Sequence, residues 1–211
     1  MIGKRTMKKT LLLLGFCLLA STAQAIVPPN LDTPENRKIL KQVEGVLSKI
    51  KTMKSRFSEF SSKDGDFMKH GDFYMSRPNK MRLIYDEPAQ IEFIADGQNF
   101  IYYDKSFDQI SLLDINQTPA AILLKPDFTF DDAAFEVTDI KQELDEFHIS
   151  AIKTGQAELG TLTVIVTQDP LEFNQWELVD MKGIKSTVGL YETVLNGPVD
   201  ESLFIFKKPE N

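Results

Sequence analysis

The feature that most constrains this chain is a change of hydrophobic period at Arg56. Before it, Ile39, Leu40, Val43, Val46, Leu47, Ile50 and Met53 recur every three or four positions, the spacing of one face of an α-helix. Asp32 or Thr33 can cap that helix, and Pro34 stands at the first helical position, where its missing N–H is not needed. Glu35, Arg37, Lys38, Lys41, Glu44, Lys49 and Lys51 fill the other face. A helix with one long apolar stripe must lay it on something, so this one is expected to be a cover. From Arg56 onward the period is two.

The stretch 71–77 reads as a strand with Phe73 and Met75 on one side and Asp72 and Tyr74 on the other. Further strands are expected at 81–85, 91–95, 99–103 and 109–114, separated by Arg77-Pro78-Asn79-Lys80, Glu87-Pro88 and Asp96-Gly97, the last a two-residue hairpin signal. Others follow at 135–141, 147–152, 161–167, 176–181, 187–194 and 203–206. The result is about ten or eleven short antiparallel strands in meander order, a mainly β fold with a helical cover. Between residues 109 and 135 the pattern lapses. There Thr118-Pro119-Ala120-Ala121-Ile122-Leu123-Leu124-Lys125-Pro126 reads as a short capped helix ended by a proline. It is almost wholly apolar, and pattern alone allows a core plug or a movable lid.

Residues 81–85, 99–103 and 162–166 do not alternate cleanly and look apolar on both faces, which a sheet needs when both faces are at least partly covered. Fifteen Phe, five Tyr and one Trp supply abundant apolar lining. A curved sheet under an amphipathic helix can enclose an apolar cavity. It can equally be packed solid, and composition leaves both open.

The first 25 residues are expected to be a cleaved signal peptide. Lys4, Arg5, Lys8 and Lys9 form a positive start, 11–20 an apolar core, and Ala23-Gln24-Ala25 a small-x-small cleavage site. An apolar core of about ten residues is too short to span a hydrocarbon layer roughly 30 Å thick. Cys17 follows Phe16, where a lipidation site wants a small residue. Cleavage after Ala25 leaves residues 26–211 as one expected domain, exported to the periplasm of a Gram-negative cell. It also lowers the 24 basic residues to 20 against 31 acidic ones, a net charge of −11. Such a surface disfavours nucleic acid, because counterion release needs clustered Lys and Arg, and it favours a self-repelling monomer. The only cysteine leaves with the signal.

Catalytic parts are missing. His70 and His148 stand alone, with no metal-ligand spacing and no cysteine to complete a zinc site. There is no G-x-S-x-G elbow, P-loop or dinucleotide-binding glycine run. Asp64-Gly65-Asp66 lacks the remaining ligands of a calcium loop. Asp131-Asp132 and the acidic run at 143–146 read as solvated turns. No enzyme, cofactor or metal is expected, although plentiful carboxylates leave a periplasmic hydrolase of lipid or glycan as a rival.

Several stretches, in order, resemble one family. Residues 71–88, Gly-Asp-Phe-Tyr-Met-Ser-Arg-Pro-Asn-Lys-Met-Arg-Leu-Ile-Tyr-Asp-Glu-Pro, look like the signature of the LolA family, the outer-membrane lipoprotein carriers. Phe93-Ile94-Ala95-Asp96-Gly97, Tyr102-Tyr103-Asp104, Gln109-Ile110, the Thr118-Pro119 helix with Leu123-Leu124, Trp176-Glu177-Leu178-Val179-Asp180 and the closing Phe204-Ile205-Phe206-Lys207-Lys208-Pro209 also match. Leu83 departs from the family in replacing a frequent aromatic. The chain stops soon after Pro209, where some members carry a further segment, so nothing of that segment is carried over.

The resemblance implies a curved, half-open antiparallel β-barrel of about eleven strands covered by lid helices. It implies a periplasmic chaperone that takes acylated lipoproteins from an inner-membrane ABC-type release complex and hands them to an outer-membrane receptor lipoprotein (LolB-like). Candidates for an acyl-chain cavity are Phe73, Met75, Leu83, Phe93, Ile122, Leu123, Leu124, Leu47 and Ile50. A relative of the same fold that binds another amphiphile such as a glycolipid, or senses mislocalised lipoproteins, is the alternative. The family's gate arginine, which hydrogen-bonds carbonyls of the lid helices, falls on Arg77. The residues agree: Arg77 has the parity of Phe73 and Met75, and its five donors suit the unpaired carbonyls at a helix C-terminus. The plainer reading is a strand-end arginine paired with Asp72 or Asp86.

Overall fold

The computed structural model describes residues 27–208 apart from Pro29 and Asp66. The signal-peptide expectation and the second aspartate of Asp64-Gly65-Asp66 fall outside the described residues.

Helix α1 (Pro34–Leu47) begins as its residues require. The Thr33 hydroxyl accepts from the Asn36 N–H at 3.1 Å, and Pro34 opens the first turn. Asp32 instead pairs with Arg37. The helix ends earlier than its stripe. Ile50 and Met53 are buried, but Ile50 lies in the following turn and Met53 in a strand. Asn196, 145 residues from Lys51, fixes that turn: its side-chain oxygen accepts from the Lys51 N–H and its amide donates to the Lys49 carbonyl. No local pattern could have shown this stop.

Eleven antiparallel strands follow: β1 (Thr52–Ser61), β2 (Met68–Ser76), β3 (Lys80–Tyr85), β4 (Ile91–Asp96), β5 (Asn99–Asp104), β6 (Gln109–Asp114), β7 (Phe135–Glu143), β8 (Glu146–Lys153), β9 (Gly160–Thr167), β10 (Phe173–Asp180) and β11 (Lys185–Leu195). They form one sheet in the order β6-β5-β4-β3-β2-β1-β11-β10-β9-β8-β7. Two meanders therefore meet at the β1–β11 pair, and the sheet stays open between β6 and β7. The period-two region starts at Thr52, four residues before the pattern marks it. Gly71 explains one close approach: a Cβ there would sit 2.2 Å from the Ile84 carbonyl oxygen and 2.6 Å from the Phe57 ring, so only glycine fits.

The segment joining the two sheet edges carries the apolar helix, in a tighter form than expected. Residues Ile115–Gln117 and Pro119–Leu124 are 3-10 helices. Thr118 does not cap the second, because its hydroxyl donates to the Ile115 carbonyl instead. This segment lies against β8, β9 and β10, while α1 lies against β8. One large apolar cluster joins α1, the connecting segment and the inner sheet face.

Residues 203–206 are not a strand. Glu201–Phe204 form a single 3-10 turn capped by Asp200, packed on the outer face of β3 and β4. Arg82 donates to the Leu203 carbonyl at 2.8 Å, and the Phe206 ring meets the edge of Tyr103. That outer cover accounts for two of the stretches apolar on both faces, 81–85 and 99–103. Burial in β3 and β5 does alternate, with Ile101 and Tyr103 buried on the outer side and Phe100 and Tyr102 half-buried on the inner side.

Candidate functional site: an apolar cavity latched by Arg77

Beneath the connecting segment the inner sheet face does not fill. A cavity of about 380 Å³ remains, within the roughly 300–1,000 Å³ of small-ligand sites. Phe73 and Met75 of β2, Leu83 of β3 and Phe93 of β4 line it from the sheet. Leu47, Ile50, Leu123 and Leu124 line it from the covers. Ile122 is buried in the core without reaching the wall, because its side of the 3-10 helix does not face the hollow.

Other wall residues were missed, six large apolar ones among them. Met81 and Tyr85 share the parity of Leu83 on β3, so alternation carried that signal. Phe100 and Leu113 extend the wall along β5 and β6. Phe173 and Trp176 come from the far half of the sheet, where a register shift between Phe173 and Gln175 breaks the parity. Trp176 lies 5.3 Å from the Phe73 ring, centroid to centroid, and so joins the two halves.

Four wall residues, Leu113, Gln117, Met181 and Lys182, are exposed and mark the mouth. The closed end is at Arg77. Its Nε donates to the Leu123 carbonyl at 2.9 Å, and Nη1 donates to the carbonyls of Leu47 at 2.6 Å and Ile50 at 2.9 Å. Leu47 ends α1, and its carbonyl, which the helix itself leaves unpaired, also accepts from the Ile50 N–H at 3.2 Å. One planar head thus holds β2, the end of α1 and the 3-10 helix together. The Asn79 N–H adds a bond to Leu124, and the guanidinium lies 5.7 Å from the Phe128 ring.

Asp72 and Asp86 are not its partners, since both are engaged by Arg56. Among the described residues no carboxylate forms an ion pair with Arg77. Burial accordingly pulls its pKa down to about 10. It stays charged at neutral pH, held by neutral dipoles alone.

Two acids, Glu59 and Asp180, enter the apolar wall. Glu59 of β1 accepts a hydrogen bond from the Tyr85 hydroxyl, whose pKa is pushed up first by burial and then by the Glu59 charge, so the hydroxyl keeps its proton. Among the described residues no group of three or more His, Cys, Asp or Glu could hold a metal ion, and His148 pairs only with Glu146. The lining of this site is suited to bind hydrocarbon.

Comparison with known proteins points the same way. A family model described as outer membrane lipoprotein carrier protein LolA matches residues 48–207. The outer-membrane lipoprotein carrier protein of Methylibium petroleiphilum is 27% identical over 185 residues, 78% of this chain and 85% of that one. The protein of the same description from Pectobacterium atrosepticum is 26% identical over 176 residues, 81% of this chain and 84% of its own. Among solved structures, a DUF1329 family protein from Desulfovibrio piger superposes with a TM-score of 0.50 at 8% identity, over 80% of this chain and 95% of that one, a likeness of fold alone. With a family model that spans well over half its length, the chain belongs to the LolA family of outer-membrane lipoprotein carriers.

Proposed function

We propose that this protein is a periplasmic carrier that shelters the acyl chains of lipoproteins between the inner and outer membranes. The signal peptide is removed after Ala25, and residues 26–211 act as one monomeric domain. Cargo comes from an inner-membrane ABC-type release complex and goes to an outer-membrane receptor lipoprotein. The observation that carries this reading is an apolar hollow whose two covers are tied to the sheet by one desolvated arginine.

The energetics explain why such a device is needed. An acyl chain of about fifteen methylenes costs roughly 12 kcal/mol to expose to water, at about 0.8 each. A lipoprotein with two or three chains would almost never leave a bilayer unaided. A carrier must therefore offer a dry cavity, yet bind moderately enough to release. The Arg77 latch supplies that moderation. When the protein is empty, Leu123 and Leu124 satisfy themselves against the sheet. Cargo must displace them and break three hydrogen bonds, which lowers its apparent affinity by the fraction of open states.

The test is recovery of the mature protein from the periplasm and mass spectrometry of what it carries. Triacylated protein is the expected cargo. A free lipid or glycolipid in its place would overturn the carrier reading in favour of a different amphiphile-binding role.

A further inference from the structure

The two free edges of the open sheet are built differently. Edge strand β7 is guarded: its pairing shifts register between Val137 and Asp139, and it bears Glu136, Asp139, Lys141 and Glu143, with Lys141 paired to Asp139 at 2.9 Å. Bulges and charges of this kind keep other chains from adding to an edge. Edge strand β6 has no such shift, and its single charge, Asp114, stands at its last position. Its pairing with β5 runs without a shift from Gln109 to Asp114, and its interior is Ile110-Ser111-Leu112-Leu113. All six residues are exposed, Leu112 by 65%. Among the described residues nothing pairs with its outer side.

The backbone groups on that outer side can be assigned. The Ile115 N–H donates to the Gln98 carbonyl, and in an antiparallel ladder hydrogen-bonded pairs alternate with unbonded ones. Leu113 and Ser111 therefore spend their backbone groups on Phe100 and Tyr102, while those of Ile110, Leu112 and Asp114 point outward. Leu113 also lines the cavity at its mouth. The open edge and the mouth share a residue.

We propose that β6 is a strand-addition edge for cargo: the extended peptide next to the acylated residue pairs main chain to main chain with β6 while the acyl chains occupy the cavity. This rests on the carrier reading above. In a protein acylated at its N-terminal residue, the peptide leaves the mouth at Leu113 and runs toward Gln109, antiparallel to β6. Main-chain pairing reads no side chains, so one edge serves cargo of many sequences. The same geometry gives a reason for leaving a flat apolar edge unguarded on one side of the sheet and not on the other.

The test uses the mature chain with two synthetic triacylated lipopeptides, one ending one residue after the acylated cysteine and one extending six residues. The longer lipopeptide is expected to bind about tenfold more tightly, the worth of one or two net backbone hydrogen bonds. It alone should slow hydrogen exchange at the Ile110 and Leu112 amides. Leu112→Pro removes an outward N–H that bonds nothing within the sheet, so it should bring the longer lipopeptide down to the affinity of the shorter, whose own binding stays unchanged. Leu112→Lys, which keeps the backbone intact, should give a smaller loss of the same kind. Equal affinities for the two lipopeptides and unchanged exchange would overturn strand addition while leaving the cavity reading in place. Failure of both lipopeptides to bind would overturn both readings. Protection of the same amides in the empty protein, rising with protein concentration, would assign the edge to a second copy of the chain and overturn the peptide occupant.

Discussion

The two halves of the sheet bury their inner faces to different ends. Over β8 the cover is α1, a capped helix of 14 residues whose Ile39, Leu40, Val43 and Leu47 are all buried. Phe128, Phe130 and Phe135 close the space beneath it, with ring centroids 5.1 to 6.5 Å apart. The 3-10 helix, six residues long and pinned at one end by Arg77, lies against β8, β9 and β10 and leaves β2 to β6 facing the hollow. Inner-face exposure there rises outward, from 5% at Leu83 through half-buried Phe93 and Phe100 to 49% at Leu113. One half is a scaffold that holds its shape. The other is a hollow whose roof is held by the hydrogen bonds of one arginine, and that is where a ligand can enter.

Substitutions can break this contrast. The largest effect is expected in the packed half, where Phe135→Ala should destabilise the fold by about 3–5 kcal/mol, read from denaturant unfolding, because its cavity cannot collapse. A loss below about 1 kcal/mol would mean that this half is as loose as the other. Arg77→Leu is next. It removes three hydrogen bonds and a desolvated charge together, so stability should change little. The variant should load cargo but release it several-fold more slowly, because the closed empty state is no longer favoured. Arg77→Lys should not restore release, since one ammonium cannot span carbonyls on two covers. Normal delivery by Arg77→Leu in a transfer assay would remove the latch from the mechanism.

Phe93→Ala is expected to cost about 1 kcal/mol of stability or less, as the ring is already half exposed, yet to weaken binding of a fluorescent fatty acid. Equal losses in both measurements would contradict a preformed hollow. The smallest effect is that of pH. A base whose folded pKa is depressed carries its penalty at all pH values below that pKa and is relieved only above it. Arg77, at about 10, therefore makes lid closure flat between pH 5 and 9. Asp132, half-buried but held below its ordinary value by Lys125 and the Ala134 N–H, contributes stability that is lost as pH falls through its folded value. Its effect on the loop after the 3-10 helix should be within about 1 kcal/mol, measured as earlier hydrogen exchange there in acid.

Strand alternation made much of this legible in advance. The parity of Phe73, Met75 and Leu83 placed three wall residues, and the lapse between residues 109 and 135 marked the connecting cover. What stayed hidden depended on distant contacts. Ile50 and Met53 continue the stripe of α1 by spacing alone, while the turn that ends the helix is held by Asn196. The apolar run at 119–124 does not say whether its turns are α or 3-10, nor that Ile122 faces away from the hollow. Trp176 belonged to the family resemblance, but only the register shift in β10 turns it and Phe173 onto the same wall.

Trp176 also offers the most direct test. It is the single tryptophan of the chain, 8% exposed, and it stands in the cavity wall. Titration of the mature protein with a triacylated lipopeptide bearing brominated acyl chains should quench its emission, saturating at one lipopeptide per chain, with no quenching by the deacylated peptide. Binding of the brominated lipopeptide with Trp176 emission unchanged would put the acyl chains elsewhere and contradict the account.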